Sequence, residues 1–204
     1  MALSRQAIVD AGLAILDEYG LGDLSMRRVA DSLGVQAGAL YYHVPNKQSL
    51  LAAIADEVLA PLGDEVTAPL NELAQLVPER AAPEERGPRD DEGPPNHLRA
   101  WAHDLRRALL KHRDAAELVA SAHALGLGTV DPTAAGRQLL VNSGHPEPDA
   151  TMAALLHFVL GHVVEEQTQA QMQALGVVAH FDADVSAHHF AVGVDIFVRG
   201  ATVR

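Results

Sequence analysis

The chain has 204 residues, 48% of them hydrophobic but only 4% aromatic, with a formal charge of −12 and no cysteine. Disulfide frameworks and thiolate metal sites are therefore excluded, and an Ala/Leu/Val-rich interior with few alternating β-branched residues favours helices over sheet. The longest apolar run, LLHFVLGHVV, is too short to span a bilayer, and the start MALSRQAIVDAGLAIL lacks the pattern of a signal peptide, which together predict a cytoplasmic protein.

Ser4 is a predicted N-cap, followed by Ile8, Ala11, Ile15, Leu16 and Tyr19 at helical spacing and stopped by Gly20 and Gly22. Ser25 caps a shorter predicted helix with Met26, Val29, Ala30 and Leu33 on its inner face, and Gly34 ends it. A third helix is predicted over Gln36 to Tyr42, with Val35 and Leu40 pointing inward. Pro45 breaks the chain, and Asn46 caps a fourth helix carrying Leu50, Leu51, Ile54, Val58 and Leu59. Three short helices with a tight glycine turn between the last two make a helix-turn-helix module.

The stretch 78–95, PERAAPEERGPRDDEGPP, holds five prolines, two glycines and nine charged residues, and reads as a flexible solvated loop. Beyond it, Trp101, Leu105 and Leu109 mark a helix that ends near His112, and another is expected from Asp114 to Leu125. Asp131 and Pro132 open a third body helix, and Pro148-Asp149 opens a long one that runs to about Leu175. The last is predicted over Asp184 to Val198. The expected fold is all-α. A DNA-binding unit, residues 1–46, joins a larger helical body, residues 47–204, whose first segment to about residue 60 serves as a lever.

The charge is unevenly spread. Residues 1–50 carry Arg5, Arg27, Arg28 and Lys47 against Asp10, Asp17, Glu18, Asp23 and Asp31, so nearly all of the negative charge lies in the body. A near-neutral head on an acidic body permits local contact with DNA but not strong non-specific adhesion. In a helix-turn-helix the second helix enters the major groove, and here it presents Gln36, Ala37, Gly38 and Ala39. Gln36 suits adenine, and alanine methyls suit thymine methyls. Tyr41, Tyr42, His43 and Lys47 are donors for phosphate oxygens, and Arg27 has reach to backbone or base. The same residues would also serve as plain surface and caps of a small helical bundle.

Residues 24–54, LSMRRVADSLGVQAGALYYHVPNKQSLLAAI, resemble the head of the TetR family of bacterial repressors through RRVADSLGV, ALYYHV and NKQSLL. The likeness is greatest to the tetracycline repressor branch, with Tyr42 where that branch has tryptophan. Similarity also extends to LLKHRDAA and to HFVLGHVVEEQ at 157–167. The resemblance implies a homodimer joined by its last long helices, a pseudo-palindromic double-stranded operator, and a small-molecule effector, largely apolar, sensed in the body. Candidate pocket residues are Trp101, Leu105, Leu109, Leu118, Val119, His123, Leu139, His157, Phe158, His162 and Glu165, each of which would equally serve as ordinary core or surface. In the tetracycline branch a body histidine and a cross-dimer glutamate hold magnesium and drug. Glu165 stands at the glutamate position but Val119 replaces the histidine, so neither magnesium nor tetracycline is implied.

Three alternatives remain open in the sequence. Eleven histidines, with His162, Glu165 and Glu166 on one helix face and the pair His188-His189, allow a metal-responsive regulator, although no complete ligand set appears. A helical small-molecule-binding protein without a DNA role is the second. Catalysis is the third and weakest: there is no glycine-rich phosphate loop, no nucleophile elbow, and no zinc-protease helix. No cofactor is expected.

Overall fold

The computed structural model describes residues 3–75 and 94–202. Its elements are α1 (Arg5–Tyr19), a 3-10 turn (Leu21–Asp23), α2 (Met26–Ser32), α3 (Ala37–Leu40), α4 (Lys47–Gln75), α5 (Pro94–Leu110), α6 (Ala115–Ala124), α7 (Ala134–Asn142), α8 (Pro148–Ala174) and α9 (Ala183–Thr202). The described residues are all-α. Among them no helix is long and apolar enough to cross a membrane.

Local chemistry sets most helix ends where the sequence places them. Ser4 Oγ accepts the Ala7 N–H at 3.1 Å and Ser25 Oγ accepts the Arg28 N–H at 3.2 Å. Asn46 Oδ1 accepts the Ser49 N–H at 2.8 Å, satisfying one donor that a helix start leaves free. Gly34 ends α2 with φ +65°, and the bonds Val35 N–H to Ala30 O and Gly34 N–H to Asp31 O complete a Schellman turn. Three expectations shift. α7 opens at Ala134 with Thr133 as its N-cap, because Asp131 accepts from the Thr133 N–H and hydroxyl in the turn before the helix instead of capping it. α3 is shorter than predicted, with Gln36 as its N-cap and Tyr41 as its C-cap. The predicted loop 78–95 overlaps α5, because Pro94 and Pro95 occupy the first turn, where a missing N–H costs nothing. Residues 78–93 lie outside the described residues.

The head packs Ile8, Val9 and Leu16 of α1, Val29 of α2, Leu40 and Val44 against Leu50 and Ile54 of α4. α1 and α4 approach closely at Gly12, where a Cβ would stand 2.6 Å from Ile54 Cδ1. The body core then forms from regular stripes. α5 buries Leu98, Trp101, Leu105 and Leu109, α6 buries Leu118 and Val119, and α8 buries Leu155, Leu156, Val159 and Val163. α9 adds Phe190, Val194 and Val198. Because α4 runs from the head core through Val58, Leu59 and Leu62 into the body, one continuous helix connects the two.

Candidate nucleic-acid interface

Leu40 and Val44 are buried and hold the residues between and around them in register. Gln36, Gly38, Tyr41, Tyr42, His43 and Lys47 are exposed, and Ala37 and Ala39 are half-buried. Tyr42 is 91% exposed, an uneconomical place for a phenol unless a partner covers it. A Cβ on Gly38 would meet nothing within 4 Å, so the fold itself does not require glycine there. The segment is thus an apolar anchor carrying a small-residue face and a row of hydrogen-bond donors.

The two neighbouring arginines differ in a way their sequence positions do not reveal. Arg28 lies 3.8 Å over the Tyr19 ring and forms a close ion pair with Asp23, which engages its guanidinium within the head. The Arg27 side chain is 89% exposed, with Asp31 at 4.0 Å. Of these two, Arg27 has the more exposed side chain and can reach a ligand on the outer surface.

The body candidates stand in several different surroundings. Trp101, Leu105, Leu109, Leu118 and Val119 are close-packed core, and the Trp101 Nε1–H donates to Pro132 O at 2.7 Å. His157 and Glu165 are exposed, and Leu139 is half-buried. Phe158 stacks on Phe190 at 5.7 Å, and the His162 ring lies 5.2 Å from the same phenyl. His162 Nε2 is 3.2 Å from Ser186 Oγ, while Glu166 is gripped through both oxygens by Arg106 at 2.6 and 3.0 Å. Glu165 instead accepts from Gln169. His162 Nε2 also stands 3.9 Å from Glu166 Oε2, so these two share one network while Glu165 lies outside it, and no group of three or more such side chains is assembled for a metal among the described residues.

A cleft of about 410 Å³ does open elsewhere, lined by His123, the loop from Gly126 to Asp131, Arg137 and Asp149. Of the sequence candidates only His123 borders it. Partial burial of Asp131 works against its charge, but bonds from the Thr133 hydroxyl and N–H and from Arg137 outweigh this and hold its carboxyl below the usual carboxylate range. The cleft is small but within the roughly 300–1,000 Å³ common for ligand sites.

Residues 8–54 match the family model of bacterial regulatory proteins of the tetR family, and residues 88–192 match that of the tetracyclin repressor-like C-terminal domain. The chain belongs to the TetR family. The class C tetracycline repressor protein of Escherichia coli is 32% identical to this TetR-family chain over 167 residues, covering 81% of the chain and 67% of the relative. The crystal structure of Mycobacterium smegmatis BioQ superimposes with a TM-score of 0.78 at 30% identity, over 98% of both chains. BioQ with its natural double-stranded DNA operator gives a TM-score of 0.72 at 29% identity, over the full length of both. Family membership makes this TetR-family chain a transcriptional regulator rather than an enzyme.

Proposed function

We propose that the protein is a cytoplasmic homodimeric repressor that binds a pseudo-palindromic double-stranded operator and is released from it by a small-molecule effector. Residues 1–46 act as the DNA-binding unit and 47–204 as the sensing and dimerising body. The observation that carries the reading is the division within residues 36–47: Leu40 and Val44 buried, the donors exposed. Gln36, Ala37, Gly38 and Ala39 face bases, and Arg27, Tyr41, Tyr42, His43 and Lys47 contact the backbone. The BioQ–operator likeness supports the same orientation.

Dimerisation is supported by α9, whose Val185, Val192 and Ile196 are exposed along one side. A second copy of α8 and α9 closes that side as a four-helix bundle. The effector acts by binding better to the form whose heads no longer match successive grooves.

The test is selection of binding sites from a random double-stranded pool. Enrichment of a two-fold symmetric sequence with half-sites about one helical turn apart is the expected result. Recovery of no common sequence would overturn the operator reading.

A further inference from the structure

α4 is fixed in the head by Leu50 and Ile54, and in the body by Val58, Leu59 and Leu62. Between these sets stands Asp56, and its carboxylate is fully engaged by a loop more than seventy residues away. Thr129 N–H donates to Oδ1 at 2.9 Å and to Oδ2 at 3.0 Å, the Thr129 hydroxyl donates to Oδ2 at 2.9 Å, and Val130 N–H donates to Oδ1 at 3.0 Å. Gly128 adopts φ +98°, and a Cβ there would stand 2.8 Å from Asp56 Oδ1. Only glycine lets the loop turn and lets the carboxylate come this close.

Hydrogen bonds to an ionised group are shorter and stronger than neutral ones, and three converging donors fix the direction of α4 as well as its distance from the loop. The same loop also borders a cleft. Gly128, Thr129 and Val130 also line the cleft that contains Arg137 and Asp149. One short segment is thus the wall of a cavity and the tether of the helix that carries the head.

We propose that Asp56 is a positioning residue: through loop 128–130 it sets the angle of α4 and thereby the separation of the two heads on DNA. The proposal rests on the dimeric operator reading.

The experiment uses full-length dimer and the duplex recovered by selection, remade with the half-site spacing lengthened or shortened one base pair at a time. Wild type is expected to prefer one spacing by about tenfold or more, since each base pair both rotates and displaces the second groove. Asp56→Ala should flatten this preference to about threefold or less, with Asp56→Asn intermediate, while sedimentation shows an intact dimer. Thr129→Val, which removes one donor and retains both N–H bonds, serves as the milder variant should Asp56→Ala fold poorly, and it should broaden the preference partially. A uniform loss of affinity at all spacings, with the wild-type preference kept, would make Asp56 merely structural and overturn the proposal. A wild type indifferent to spacing would instead overturn the operator reading, and the proposal with it.

Discussion

Gly38 sits in a helix, where glycine costs about 1 kcal/mol relative to alanine, and nothing inside the protein needs the space. Close approach to a partner is the remaining physical reason. Gly38→Ala should therefore raise the thermal midpoint by about 2 to 4 °C yet weaken operator binding, and unchanged binding would remove Gly38 from the interface. Asp131 gives a prediction in pH. Its folded pKa lies below its unfolded value, so its stabilisation is fully present above about pH 4 and is lost as pH falls through the folded value. The thermal midpoint of Asp131→Asn should lie below wild type at pH 7, and the gap should close in acid. A gap that stays constant from pH 7 to pH 3 would contradict this. Single residues were partly legible in sequence. The donors from Tyr41 to Lys47 could be named from type and position, but Arg27 and Arg28 are told apart by the Tyr19 ring and the Asp23 carboxylate that engage Arg28.

At the scale of elements, what depends on neighbours along the chain was readable and what depends on distant partners was not. Ser4, Ser25, Gly34 and Asn46 set helix ends through bonds to residues within five positions. Leu105, Leu109, Leu118 and Val119 recur at helical spacing whether a helix faces a cavity or a packed core, so periodicity could not exclude the core that they form. Proline was ambiguous for the same reason, ending some helices and opening α5. The Asp56 tether leaves only a turn signal, GLGTVDP, in the sequence. Glu166 looked like a metal ligand by spacing, yet Arg106, sixty residues earlier, takes both of its oxygens and ties α5 to α8. Arg106→Leu leaves Glu166 buried without its counterion and should cost about 3 to 5 kcal/mol, measured by urea denaturation. A loss below about 1 kcal/mol would show that Glu166 finds another partner.

For the whole molecule, the governing facts are a near-neutral head, an acidic body and an uncovered helix face. A chain of net charge −12 gains little from non-specific attraction to DNA, so useful affinity needs two heads held at a fixed distance. Ile196 is 69% exposed on α9 and should be covered by the second copy. Ile196→Asp places a charge in that apolar contact and is expected to yield monomers at micromolar concentration by sedimentation equilibrium, with operator binding lost alongside. A variant that stays dimeric would move the interface away from α9.

The most direct measurement is operator affinity against salt, for wild type and for the double variant Tyr42→Ala, Lys47→Ala, with folding of both confirmed by circular dichroism. Wild-type affinity should fall steeply as salt rises. The variant should bind at least about tenfold more weakly, with a slope shallower by about two, one lost lysine–phosphate contact per head. Equal affinities and equal slopes would mean that the exposed row from Tyr41 to Lys47 does not meet DNA, and the assignment of residues 1–46 as the DNA-binding unit would fall.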